Sequence, residues 1–308
     1  MMIPTTLLKT ELQLITPCFC AGANQREPEL RAPSFRGELR WWFRCLGGTP
    51  EQEGRVFGTA AGGTGNASAI ALLVTNVKPS KAFPWDFEEP KSGGKSSYIT
   101  FFLSANKNKK ETDEDKVDRT GAYLPPEKKF TLELRQLRNL EDADKKLLAL
   151  AWDCMCYLGA VGARKTRGLG AFATVESNAA LRKERLDALL SDPRVKADGR
   201  FSFKLKKNIH GSFAEPASIT NILRECAETL IQYRNDNNIY PIPQKDQKRK
   251  AGRNYCISSL GNAEEHRQAS AVRFRPVLNE KDELQLLILK APDITLCAEA
   301  KEHDIPRL

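Results

Sequence analysis

The order of strand-like and helix-like segments constrains the fold of this chain more than any other feature of its sequence. In the first half, segments with apolar residues at every second position alternate with segments whose apolar residues recur every three to four positions. The predicted strands are residues 7–15, 69–77, 130–135 and 170–176. The predicted helices are residues 35–46 and 141–158. The first half therefore reads strand, helix, strand, strand, helix, strand.

This order is typical of a ferredoxin-like (βαββαβ, RRM-like) domain, in which two βαβ units are interleaved in one antiparallel sheet. The second half repeats part of the order, with a strand, a helix and two further strands. These are residues 200–206, 218–234, 271–276 and 284–290. We therefore predict an α+β protein with tandem ferredoxin-like domains, of which the second is degenerate.

The predicted domains follow from these segments. The first domain covers residues 1–178, with an insertion at about 78–129 that is too long for a hairpin connection. A linker helix occupies 179–199, and the second, degenerate domain covers 200–308.

Composition narrows the functional classes. Lys and Arg number 48 against 39 Asp and Glu, and this net charge of +9 favours a polyanionic partner. No uncharged apolar run reaches about 18 residues, and the start of the chain lacks the pattern of a signal peptide, so we expect a cytoplasmic protein without membrane contact. Its eight cysteines are then expected to be reduced. The spacing of the cysteines and the three histidines does not match a zinc site, and we expect no metal and no cofactor.

A glycine-rich turn at 159–170 carries a cluster of cations. It is not a P-loop, because Arg164 stands where that pattern requires glycine before lysine. It half-matches an RRM signature, but Leu169 and Ala171 replace the aromatic residues that would stack on bases. We interpret the turn as a backbone cradle for phosphate, with a solvated turn as the alternative. The RNA-binding candidates in it are Gly162, Arg164, Lys165, Arg167, Gly168 and Gly170.

Three arginines, Arg36, Arg40 and Arg44, recur every four residues along the first predicted helix. Such a stripe can follow a phosphodiester chain, and Trp41 beside it is a candidate stacking platform. Trp42 lies in the apolar phase of the helix, so we predict that it belongs to the core. If the chain folds as predicted, the arginine stripe and the cations of the turn form the two walls of one groove. An ordinary solvated helix face is the alternative.

Four segments together resemble one family. They are TPCFCAGANQREPELRAPSFRGELRWWFRCLGG (16–48), RVFGTAAG (55–62), GAVGARKTRGLGAF (159–172) and RQASAVRFRP (267–276). The first two resemble the first Cmr subunit of type III-B CRISPR effector complexes, a family within the RAMP superfamily, and the first of them contains a nearly complete hallmark string. The third resembles the G-rich loop of that superfamily. The fourth is similar to a string of the second RAMP domain, with Ala271 in place of its usual proline, and adds Arg267 to the RNA-binding candidates.

The resemblance implies a subunit without enzymatic activity of its own that works in antiviral defence. Its expected partners are guide RNA (crRNA), single-stranded target RNA and other Cmr subunits, with no small-molecule substrate, and either RNA could be the main ligand. The alternative is a metal-independent RAMP endoribonuclease that processes CRISPR precursor RNA. That enzyme would need a general base such as His210 or His266, with assistance from Tyr255 or Lys250.

Overall fold

The fold is described from a computed structural model, which covers residues 4–24, 27–59, 65–79, 83, 99, 123–197, 200–236 and 270–292. Most of the predicted insertion at about 78–129 lies outside these described residues, as does Arg267. The strands are β1 (Thr5–Leu14), β2 (Ile70–Thr75), β3 (Lys129–Gln136), β4 (Phe172–Thr174), β5 (Ser202–Ser212), β6 (Val272–Leu278) and β7 (Glu283–Lys290). The helices are α1 (Ala32–Cys45), α2 (Pro50–Phe57), α3 (Asp142–Leu158), α4 (Ala179–Ser191), α5 (Pro193–Lys196) and α6 (Pro216–Asp236).

The first four strands form one antiparallel sheet in the order β2-β3-β1-β4. This is the strand order of a ferredoxin-like domain. α1 lies between β1 and β2 in sequence, α3 lies between β3 and β4, and neither pair of strands is adjacent in the sheet. The other three strands form an antiparallel sheet in the order β5-β7-β6, which repeats the β1-β3-β2 part of the first sheet. The prediction of an α+β protein with a degenerate second ferredoxin-like unit is confirmed.

α1 is amphipathic because large apolar residues recur at helical spacing along it. Its buried face includes Phe35, Leu39, Trp42 and Phe43, each with no exposed surface. Phe35 contacts Phe130 and Phe172 of the sheet, with ring centroids 5.3 and 5.6 Å apart. The predicted burial of Trp42 is therefore confirmed, and it fixes which side of α1 is left for solvent.

α2 is a helix that the sequence reading did not include. Thr49 caps its N-terminus: the Thr49 side chain accepts from the backbone N–H of Gln52, and the Gln52 side chain accepts from the backbone N–H of Thr49. Pro50 occupies the first turn, where its missing N–H costs no hydrogen bond. The string Thr-Pro-Glu-Gln is a recognisable capping box, so the signal was present in the sequence.

β6 and most of β7, in the second sheet, are buried. Leu284, Leu286 and Ile288 of β7 join a hydrophobic cluster with α6, whereas Leu287 and Leu289 join the cluster that contains α1 and α3. The glycine-rich turn reaches the same junction, where the Phe274 N–H of β6 donates to the Thr166 carbonyl at 3.1 Å. The two halves of the chain therefore share an apolar interface. Within the part of the chain that the structure describes, no helix is both long and apolar enough to span a membrane.

Candidate nucleic-acid interface

The arginine stripe of α1 is anchored on α2. Arg40 and Arg44 both form ion pairs with Glu53, and Arg36 donates to the Phe57 carbonyl and lies over the Phe57 ring at 6.0 Å. Partial burial opposes ionisation of Glu53, but the hydrogen bonds from Arg44 and Arg40 outweigh it and hold the pKa of this carboxyl below its ordinary value. The side chains of Arg40 and Arg44 remain 42% and 54% exposed. The stripe is thus orientated by protein contacts while part of the Arg40 and Arg44 side chains faces solvent.

Trp41 is half-buried beside this stripe. Its ring meets Trp42 edge-on, with centroids 5.0 Å apart, and Phe201 at 6.1 Å. The guanidinium carbon of Arg273, from β6, lies 3.3 Å from the centre of the Trp41 ring. One face of Trp41 is therefore covered by a cation from the second half of the chain, and a base can stack on it only from the other side.

Glu38 is a fully buried carboxylate that the sequence reading missed. It accepts from Lys165 Nζ of the glycine-rich turn at 2.8 Å and forms an ion pair with Arg273. Burial alone would raise the pKa of Glu38, but the charges of Arg273 and Lys165 lower it to about 2. The available signal was its position, because a charged residue next to Leu39 in the apolar phase of α1 needs a buried partner.

The glycines of the turn are required by the packing of the turn itself. Gly162, Gly168 and Gly170 have φ values of +86°, +94° and +64°, in the left-handed region that disfavours other residues. A Cβ on Gly170 would lie 1.8 Å from the Val161 carbonyl oxygen, and one on Gly162 would lie 2.6 Å from that of Phe19. These contacts leave no room for a side chain at either position. Close packing within the protein is therefore sufficient to explain both glycines.

Several backbone amides of the turn are also engaged by protein carbonyls. Val161 donates to Gly170, Ala163 to Phe19, Arg167 to Arg164, and Gly170 to Pro17, all at 2.8–3.0 Å. These amides of the predicted phosphate cradle are therefore already engaged within the protein.

Arg167 lies inside the protein. It is 7% exposed, its Nη1 is 3.4 Å from both Ser270 Oγ and the Val272 carbonyl, and its guanidinium lies 5.6 Å from the Phe274 ring centre. Burial lowers the pKa of Arg167 to about 10. Its predicted place on a cationic surface is wrong, because this side chain ties the turn to β6.

The other two cations of the turn are more accessible. Lys165 is 35% exposed although it pairs with Glu38. Arg164 adopts a φ of +58° and is partly buried, which lowers the pKa of its guanidinium.

The arginine stripe and Lys165 of the turn contact different partners in the structure. Successive residues of an α-helix are rotated by about 100°, so Arg36 and Arg40, each two positions from Glu38, point roughly 160° away from it. Lys165 approaches Glu38, whereas the stripe contacts α2. The single groove therefore stays a prediction, and the exposed cations of α1 lie beside Trp41.

A sequence model of the RAMP superfamily matches residues 11–173, which is more than half of the chain. Two curated relatives from Pyrococcus furiosus are named as the CRISPR system Cmr subunits Cmr1-1 and Cmr1-2. Each is 28% identical to this chain, over 181 and 180 residues. These alignments cover 54% and 52% of this chain, about half (47%) of Cmr1-1 and 90% of Cmr1-2.

Two solved structures share the fold. The crystal structure of apo Cmr1 from Pyrococcus furiosus aligns with a TM-score of 0.52 at 20% identity, covering 99% of this chain and 92% of that one. A chain of a type III-B Cmr-beta structure, determined by cryo-EM with cognate target RNA, AMPPnP and ssDNA present, aligns with a TM-score of 0.51 at 14% identity. That alignment covers 93% and 94% of the two chains.

The tandem ferredoxin-like units and the glycine-rich turn between α3 and β4 define a class of protein, and the chain belongs to it: the RAMP superfamily. Within that superfamily, the resemblance to the first Cmr subunit is confirmed by the two curated relatives of that name.

Proposed function

We propose that this chain is a non-catalytic RNA-binding subunit of a type III-B CRISPR (Cmr) effector complex, active in antiviral defence. It would contact guide RNA, single-stranded target RNA or both, beside other Cmr subunits. The observation that carries the proposal is the exposed surface of α1, where Arg40 and Arg44 are held by Glu53 next to Trp41. We call Arg36, Arg40, Trp41 and Arg44 the α1 surface.

The α1 surface suits a phosphodiester chain. Each guanidinium has five N–H donors, and Glu53 uses only part of those on Arg40 and Arg44. Because the ion pairs already restrict these long side chains, less conformational entropy is lost when they bind a phosphate. Contacts to phosphates and stacking on one ring face do not distinguish one base from another, so we expect weak sequence preference.

The candidate catalytic groups of the alternative nuclease are the reason for proposing a non-catalytic subunit. His210 lies on β5, in the second sheet, and is bound to Glu225 at 2.6 Å. His266, Tyr255 and Lys250, which the alternative nuclease would use, lie outside the described residues. Arg267 also lies there, and its role in RNA binding stays a prediction.

Binding of single-stranded RNA should depend strongly on salt. If about four to six phosphates are neutralised, log K should fall with log salt concentration at a slope of about −3 to −4, using ~0.7 per contact for single strands. Anisotropy titrations of labelled oligouridylate at several salt concentrations measure this slope. RNA recovered from the same mixtures in EDTA should be intact. A flat salt response would contradict the proposal, and cleaved RNA would favour the nuclease.

The double variant Arg40→Ala/Arg44→Ala should bind RNA about 10- to 100-fold more weakly, because it removes two phosphate contacts of the α1 surface. Its melting temperature should fall, because Glu53 is only 10% exposed and loses both of its arginine partners, so RNA binding is compared well below that temperature. Fluorescence anisotropy and thermal melting on the same protein preparations give both values.

Arg194→Ala is the matched control. Arg194 is 67% exposed and pairs with Asp192, so it resembles Arg44 in charge and exposure but lies outside the α1 surface. We expect it to bind RNA like the unaltered chain. Equal binding by the double variant and the control would show that α1 does not contact RNA.

A further inference from the structure

A cation from the second half of the chain packs on the face of Trp41. The guanidinium carbon of Arg273, on β6, is 3.3 Å from the centre of the Trp41 ring. A carbon atom can come this close to a ring centre only over the face of the ring, because the ring's own atoms block an approach within its plane. Guanidinium groups stack well on indole faces, through dispersion and through the cation–π attraction. The contact therefore ties the position of the indole to β6.

We propose that Arg273 is a positioning residue for RNA binding: held by Glu38 and packed on one face of Trp41, it fixes the indole so that a base of single-stranded RNA can stack on the opposite face. This role rests on the proposed function, and it makes the second half of the chain part of the α1 surface.

Arg273 is itself held in place by a contact that does not involve Trp41. Its side chain is only 7% exposed, and its Nη1 donates to Oε1 of the fully buried Glu38. The N–H groups of a guanidinium lie in its plane, whereas its faces are free of donors. One arginine can therefore bind a carboxylate with its edge and an indole with its face at the same time. Because Glu38 anchors the cation, the cation can in turn orientate the ring.

The helical spacing places Trp41 between the buried ion pair and the exposed stripe. Glu38, Trp41 and Arg44 follow one another at intervals of three residues, and at about 100° per residue each is roughly 60° from the next around α1. Glu38 has no exposed surface, whereas the Arg44 side chain is 54% exposed. Trp41 is half-buried, as its intermediate position requires. A phosphodiester chain that follows the stripe thus passes beside the ring that Arg273 holds.

Two aromatic neighbours restrict the same ring. Trp42 lies 5.0 Å from it at an interplanar angle of 85°, and Phe201 lies 6.1 Å from it at 65°. With Arg273 on one face, the indole is ordered before any ligand arrives. Stacking on a ring that is already ordered costs less conformational entropy than stacking on a mobile one, so the contact with Arg273 should increase the affinity for RNA.

The test is a double-mutant cycle between Arg273→Lys and Trp41→Ala in the full chain. Lysine keeps a positive charge and donors for Glu38, but its ammonium is not planar and cannot stack on the indole as a guanidinium does. Binding of labelled decauridylate is measured by anisotropy well below the melting temperature of each variant, and thermal melting verifies folding. Arg273→Gln, whose planar amide can also donate to Glu38, replaces the lysine variant in the cycle if that variant does not fold.

Arg275→Lys is the matched control. Arg275 lies on the same strand, is 2% exposed, and has its guanidinium carbon 5.2 Å from the centre of the Phe172 ring. Phe172 belongs to the core, with 1% of its surface exposed. The control therefore makes the same change to an equally buried arginine over a ring that RNA does not reach, and it should bind RNA like the unaltered chain.

We expect Trp41→Ala to weaken RNA binding about tenfold, as for the loss of one stacked base. Arg273→Lys should weaken it about threefold in the unaltered background and have no effect in the Trp41→Ala background, because no ring is left to position. At saturating RNA, quenching of tryptophan emission should disappear in Trp41→Ala and decrease in Arg273→Lys. A lower melting temperature alone would produce neither the coupling nor the change in quenching.

Two results would overturn the positioning role: equal weakening by Arg273→Lys in both backgrounds, and an equal loss of affinity in Arg275→Lys. If Arg273→Lys binds like the unaltered chain while Arg40→Ala/Arg44→Ala still weakens RNA binding, the positioning role alone fails. If neither Trp41→Ala nor Arg40→Ala/Arg44→Ala changes RNA binding, the proposed function fails as well.

Discussion

Replacing Glu38 with alanine should lower the free energy of unfolding by about 3–5 kcal/mol, the cost of removing one partner from a buried ion pair. Glu38 has no exposed surface, and it is the shared partner of Lys165 and Arg273. Arg273 is only 5% exposed, so the variant leaves its charge buried without this carboxylate. Urea unfolding followed by circular dichroism measures the change.

The pH dependence of stability provides a second measurement on the same carboxylate. The folded-state pKa of Glu38 is depressed from 4.5 to about 2 by Arg273 and Lys165, against the effect of burial. A depressed pKa stabilises the fold above the unfolded-state value, and this stability is lost as pH falls from 4.5 towards about 2. Glu38→Gln should therefore flatten the loss of stability in that pH window.

Glu141→Ala is the control for Glu38. Glu141 also pairs with an arginine, Arg55 at 3.2 Å, but its side chain is 63% exposed. Its loss should cost at most about 1 kcal/mol, because solvent screens exposed pairs. Equal destabilisation by the two alanine variants would contradict the assignment of Glu38 as the carboxylate that joins the two halves of the chain.

The second large effect is expected at Trp42, where alanine should destabilise the protein by about 3–5 kcal/mol. The indole is fully buried and contacts Phe201, with ring centroids 5.0 Å apart, so its removal leaves a cavity between α1 and the start of the second unit. Chemical unfolding gives the magnitude, and RNA binding measured well below the melting temperature should remain close to that of the unaltered chain.

Two neighbouring substitutions control for this result. Trp42→Phe keeps most ring contacts and removes an Nε1–H that has no partner among the described residues, so it should cost much less than alanine. Trp41→Ala should have the opposite profile, with a smaller loss of stability and weaker RNA binding, because Trp41 is half-buried in the α1 surface. If Trp42→Ala abolished RNA binding without destabilising the fold, the two faces of α1 would be assigned backwards.

The regular elements were predictable because their signals are local. Residues that recur with helical or strand periods predicted α1, α3 and all four strands of the first sheet within a few residues of their observed ends. The same signals predicted β5, α6, β6 and β7, and their order predicted the fold class. α2 was missed, although Thr49 to Gln52 form a capping box, because an eight-residue helix has too few turns for a clear period.

The candidate site was predictable only in part. The sequence located the arginine stripe and the glycine-rich turn, but it indicated neither the partner of each cation nor which cations are exposed. Arg167 and Arg164 lie three residues apart in the same turn, yet Arg167 is buried against β6, which lies more than 100 residues away. The partner of Arg40 and Arg44 is Glu53 of α2, and without that helix the stripe had no visible anchor.

The sequence by itself therefore determined the periodicities, the order of the elements, the core face of α1 and the motifs that place the chain in its superfamily, because each is set by neighbouring residues. The tertiary structure alone decided how charge is distributed between interior and surface. Glu38 meets Lys165 from 127 residues away and Arg273 from 235, and these contacts attach the glycine-rich turn and β6 to α1. The physical reason is that a charge is buried or exposed according to what packs on it, and the packing elements come from distant parts of the chain.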